Sequence, residues 1–69
     1  MRIISQGRTR SVEFHNVAIF RYDNRILARD AGQDMLLAEY KTSTRAKEVF
    51  EELHNEFYDP TVLYRMPEE

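Results

Sequence analysis

Apolar and β-branched residues along this chain come in short runs, separated by residues that favour turns. Ile3-Ile4 opens the pattern and Gly7 closes it, predicting a first strand over Met1–Gln6. Val12-Glu13-Phe14 alternates apolar and charged, as a brief strand would. Val17-Ala18-Ile19-Phe20, followed by Tyr22, is the richest in strand-forming residues and predicts a strand over Val17–Tyr22. All four residues of its apolar run suggest that both faces of this strand are covered. Asp23-Asn24 is a two-residue hairpin signal, so Arg25–Ala31 returns as the partner strand. Ala31-Gly32-Gln33-Asp34 supplies the next turn, with Gly32 available for positive φ. Met35–Tyr40 follows with a second four-residue apolar run. Together these elements predict an antiparallel β-sheet meander of four to five strands.

The period then changes. Ala46, Val49, Phe50, Leu53 and Phe57 recur at helical spacing and form one apolar stripe. Glu48, Glu51, Glu52 and Glu56 occupy the other side, and Thr42-Ser43-Thr44 offers N-cap hydroxyls. Asp59-Pro60 is the expected stop, because the residue before proline is pushed out of the α region. The helix is therefore placed at about 43–58 and a final strand at about 61–66. In that strand Val62, Tyr64 and Met66 point one way, and Leu63 and Arg65 the other. Its expected partner is the first strand. The fold class is α+β, with the helix stripe buried on one sheet face. Residues 1–69 form a single compact domain, in which 67–69 fray as an acidic tail.

Size sharpens this picture. A chain of 69 residues buries only about 60% of the surface its unfolded form exposes. Small scaffolds usually add disulfides, a metal or a second subunit. There is no cysteine, which excludes disulfides and cysteine-based zinc sites, and no metal or cofactor is expected. Self-association into a dimer or higher homo-oligomer is the expected support. The absence of a signal-peptide core and of a long apolar run places the protein in the cytoplasm, away from membranes.

The net charge of −2 hides an asymmetry. Residues 1–31 hold six arginines against three acids, and residues 32–69 hold four basic residues against nine acids. Two such halves attract within one fold or between subunits, or stand as separate solvated faces. The basic residues are eight Arg and two Lys, a bias toward the planar fork that suits carboxylate and phosphate.

Candidate chemistry is sparse. The carboxylate pairs Glu48/Glu52 and Glu52/Glu56 lie on the solvated helix face, not in a cleft. His15 and His54 have no ligand or base pattern around them, and no glycine-rich phosphate loop occurs. An enzyme is not expected. The best candidate contact surface is the Arg-rich hairpin: Arg21, Tyr22, Arg25 and Arg29, with Arg8 and Arg10 upstream. Arginines beside an aromatic on a sheet suit a small phosphorylated or nucleotide ligand, or a protein with an acidic patch. Sheet-based nucleic-acid binding is disfavoured by the negative net charge and the acidic helix.

The opening Met-Arg-Ile-Ile-Ser-Gln, the passage Leu37-Ala38-Glu39-Tyr40 through Thr44, the helix start Ala46-Lys47-Glu48-Val49-Phe50 and the closing Tyr64-Arg65-Met66-Pro67-Glu68 resemble a group of small uncharacterised proteins. These are encoded by phages, prophages and mobile elements of Gram-positive bacteria. The chain departs from them at Arg8-Thr9-Arg10, where such proteins tend to have an Asp-Gly-type turn. The resemblance implies no active-site residue. It implies a setting, in the host cytoplasm, in which small accessory proteins act by binding a host protein or a small ligand, including as antagonists of host defence. A structural subunit that self-assembles is the alternative.

Overall fold

A computed structural model describes residues 1–55 and 61–69. The chain order is β1 (Arg2–Ile4), β2 (Ser11–Glu13), β3 (Ala18–Tyr22), β4 (Arg25–Asp30), β5 (Gln33–Glu39), α1 (Ser43–Asn55) and β6 (Leu63–Arg65). Short 3-10 turns at Gln6–Arg8 and Phe14–Asn16 lead into β2 and β3. The fold is α+β, with the strand order the sequence predicts. The expected helix end at Asp59-Pro60, and Phe57 of the stripe, lie outside the described residues.

The strands before the helix do not form one meander. They divide into two three-stranded sheets, β2-β1-β6 and β3-β4-β5. The division falls at the 3-10 turn after β2, where the chain leaves one sheet and starts the other. β1 is the centre of the first sheet, antiparallel to β2 and parallel to β6. The last strand thus pairs with the first, as expected, with Ile3 opposite both Val12 and Tyr64. All three of these side chains are buried.

One core joins both sheets and the helix. Met1, Ile3 and Met66 come from the first sheet and its flanks, Ile26, Ala28, Leu37 and Ala38 from the second, and Ala46, Val49 and Leu53 from α1. Thr42 caps the helix: its Oγ1 accepts the Arg45 N–H at 3.1 Å. The final strand alternates as its sequence predicts, with Tyr64 and Met66 buried and Leu63 and Arg65 exposed.

The apolar run of β5 has a specific cause. Ile26 pairs with Ala38 but Leu27 pairs with Leu36, so Leu37 is an extra residue in a β-bulge. The bulge lets Leu37 and Ala38, neighbours in sequence, both be buried. The apolar run of β3 has no such device. Ile19 packs against the core, but Ala18 is exposed and Phe20 half-buried, so the expectation that both faces of this strand are covered is wrong. Among the described residues the outer face of the second sheet is open.

Hydrogen bonds reach the C-terminal residues 67–69. The Gln6 side-chain amide donates to the carbonyls of Pro67 at 2.8 Å and Glu68 at 3.2 Å. The Tyr40 hydroxyl donates to the Pro67 carbonyl at 2.7 Å, and Arg45 Nε to that of Glu69 at 3.0 Å. Burial, opposed by the nearby Arg45 charge, pushes the Tyr40 hydroxyl up to about 12, so it stays a donor at neutral pH.

Candidate functional site

The open face of the second sheet is built by two turns. At Asp23-Asn24 the chain reverses with Asp23 at φ 57°, and Tyr22 comes to pair with Arg25. At Ala31-Gly32 both residues take positive φ, 52° and 80°, the pattern of a type I′ hairpin. Counting outward from these turns fixes which residues are in line across the sheet. Phe20, Leu27 and Leu36 form one row. Ala18, Arg29 and Asp34 form the row on one side of it, and Tyr22, Arg25 and Glu39 the row on the other.

The central row is apolar and accessible. Phe20 and Leu27 are half-buried, and Leu36 is 41% exposed. Tyr22, in the next row, is 73% exposed. The charges in the flanking rows are matched. Arg25 Nε lies 2.8 Å from Glu39 Oε2. Arg29 donates to both oxygens of Asp34, at 2.7 and 3.2 Å, and its guanidinium lies 5.0 Å from the Phe20 ring centroid. The Arg29 hydrogen bonds hold the Asp34 carboxyl below its ordinary value. Each of these pairs joins the basic first half of the chain to the acidic second half, so part of the sequence asymmetry is spent as attraction within one fold.

The structure separates the six residues singled out from sequence. Tyr22, Arg25 and Arg29 share the open face. Arg21 falls on the opposite parity, in register with the buried Ile26, and its Nη1 donates to the Asp23 carbonyl at 2.7 Å. Arg10 reaches the Leu36 carbonyl at 3.5 Å, at the β5 edge of the same sheet. Arg8 sits in the β1–β2 loop at φ 56°, beside Gly7 at φ 73°. No carboxylate pairs with Arg8, Arg10 or Arg21 among the described residues. The six are therefore not one cationic cluster. The apolar row that does run across the face went unnoticed in the sequence, although the two hairpin turns were enough to align it.

Other candidates are weaker. An open groove of about 320 Å³ is lined by Arg2, Val12, Glu13, Asn16, Asp30 and Met35, among others. Two of its three charged side chains already have partners: Arg2 donates to Ser11 Oγ at 3.2 Å, and Glu13 accepts from the Met1 ammonium at 2.9 Å. That hydrogen bond is the main cause that lowers the Glu13 carboxyl. His54 Nδ1 lies 2.8 Å from the Phe50 carbonyl oxygen, so this nitrogen carries the proton. Its ring packs on Phe50 and Phe14. Glu48 is paired with Arg45 at 3.5 Å on the exposed helix surface. No group of three or more metal-ligating side chains is assembled among the described residues, and no described helix is long and apolar enough to cross a membrane. No protein family, curated protein or solved structure matches the chain.

Proposed function

We infer that this chain is a small non-enzymatic binding protein that engages another protein through the open face of its β3-β4-β5 sheet. The observation that carries this reading is the apolar row Phe20–Leu27–Leu36, accessible on a face that no described element covers. Interface centres are apolar and depleted of unpaired charge, with Tyr and Arg enriched. This face has that composition. Its arginines are held by Glu39 and Asp34, so a partner covering them buries neutralised pairs, not isolated charges. A small phosphorylated ligand has less support, because it would have to displace those carboxylates from Arg25 and Arg29. The resemblance to phage and mobile-element proteins favours a bacterial host protein as the partner, and antagonism of host defence as the setting.

The test starts from proteins retained from a Gram-positive bacterial lysate by the immobilised chain. Each is then purified and measured by calorimetry against defined variants. Leu36→Glu places a charge in the centre of the face and is expected to weaken binding at least tenfold. Lys47→Glu, on the exposed side of the helix, is expected to bind as wild type. A partner that binds Leu36→Glu as tightly as wild type overturns this face as the site.

A further inference from the structure

We propose that β3 pairs edge to edge with β3 of a second copy, so that two β3-β4-β5 sheets become one six-stranded sheet. The proposal stands on the edge geometry and not on the reading of the face given above. β3 is hydrogen-bonded to β4 alone. No other backbone bond reaches residues 18–22 among the described residues. A bare strand edge is a template for another strand, and proteins that stay monomeric commonly cap it, bulge it or shorten it.

The other edge of the same sheet is capped. Gln6 Oε1 accepts the Glu39 N–H at 2.8 Å, and Arg10 reaches the Leu36 carbonyl. The bulge lies on that side too, between β4 and β5. In the first sheet the outer strands β2 and β6 have three residues each. β3, with five residues and neither proline nor bulge, is the longest uncapped edge among the described strands.

The occupant follows from the sequence of the strand itself. In an antiparallel two-fold pair, facing residues share a sheet face, so the symmetry centre must fall on a residue pair. Centring on Phe20 is the arrangement that uses all five residues. It sets Phe20 against Phe20 of the second copy, Ala18 against Tyr22, and Ile19 against Arg21. Centring on Arg21 would set two arginines face to face. Centring on Ile19 would leave Tyr22 without an opposite.

The charge pattern is compatible with the Phe20 register. Arg25 and Arg29 keep their own carboxylates, and no like charges stand directly opposed across the new seam. The Arg21 guanidinium is drawn toward the Asp23 carbonyl at the turn. The row Phe20–Leu27–Leu36 then continues through its symmetry mate, so the apolar row on the open face doubles in length. A second copy also supplies the support that a chain of 69 residues without disulfides otherwise lacks.

Analytical ultracentrifugation of the full chain tests this. Wild type is expected to sediment as a dimer that dissociates on dilution. Phe20→Lys and Phe20→Glu each place like charges on the two-fold axis and are expected to weaken the dimer at least tenfold. Mixing the two in equal amounts is expected to restore it as a heterodimer. Circular dichroism checks that both variants fold. Arg21→Pro serves as the second disruption: it removes a donor on the open edge from an exposed position and leaves the β3–β4 ladder in place. A wild-type monomer at millimolar concentration overturns the proposal. So does a dimer that persists in Phe20→Lys and Arg21→Pro, or one that mixing fails to restore.

Discussion

Arg29 illustrates how single side chains set the character of the open face. Its guanidinium makes two hydrogen bonds to Asp34 and lies over the Phe20 ring. One residue thus neutralises a carboxylate and covers part of a half-buried aromatic. The same pairing has a consequence in acid. The Arg29 hydrogen bonds lower the Asp34 carboxyl from its ordinary 3.8, and the Met1 ammonium does the same for Glu13, ordinarily 4.5. A group whose folded value is depressed stabilises the fold above its unfolded value, and that contribution is lost as pH falls through the folded value. The contribution of these two pairs to thermal stability is therefore expected to be complete above about pH 5 and to fall on acidification through and below 4.5 and 3.8. In Asp34→Asn the acid limb should be shallower, because the Asp34 contribution is gone. Melting curves from pH 2 to 7 check it, and identical acid limbs for the two proteins would exclude the pair as a source of the dependence.

At the scale of elements, the β4–β5 hairpin carries a local cost. Ala31 holds φ 52° and Gly32 φ 80°. Gly adopts this region freely, whereas alanine there brings Cβ too close to a carbonyl oxygen. Asparagine tolerates the same conformation through local hydrogen bonds, and Asn-Gly is the favoured pair for a type I′ turn. Ala31→Asn is expected to stabilise the fold by about 0.5–1 kcal/mol, or roughly 3–6 °C in melting temperature. Differential scanning calorimetry reads this directly, and an unchanged or lowered midpoint would refute it. The turn itself was legible in the sequence, because Gly32 and the apolar runs on either side mark it. So was the helix, because Ala46, Val49 and Leu53 keep a period that no strand shares. The bulge at Leu37 was not legible: four apolar residues in a row read equally well as a strand covered on both faces. That ambiguity is resolved only by pairing, since Leu37 and Ala38 are buried by the bulge while Ala18 stays exposed and Phe20 half-buried. The arginines divided for a related reason. Their spacing gave parity along the strand, but Glu39 and Asp34, the partners that neutralise Arg25 and Arg29, come from the next strand.

Across the whole molecule, the contacts hardest to read from sequence join positions far apart in the chain. β1 is completed by β6, more than fifty residues later; the partnership is the one expected from sequence, but its parallel direction is not encoded by local patterning. Gln6 extends this closure. Its amide nitrogen holds the Pro67 and Glu68 carbonyls, and its carbonyl oxygen accepts the Glu39 N–H at the edge of the second sheet. One side chain therefore ties together the first strand's loop, the C-terminal residues and both sheets. These bonds act where a small core has little margin. Each intramolecular hydrogen bond contributes about 0.5–1.5 kcal/mol net, and weakly aligned or exposed ones less. Gln6→Ala is expected to destabilise the fold by about 2 kcal/mol, the sum of three modest bonds. Urea unfolding measures the loss. Hydrogen exchange locates it: the Glu39 amide should exchange faster in the variant, while the Ile26 amide in central strand β4 changes only with global stability. If Gln6→Ala lost stability without faster exchange at Glu39, the loss would lie in the bonds to the Pro67 and Glu68 carbonyls. The Gln6 side chain would then not be the tie between the two sheets.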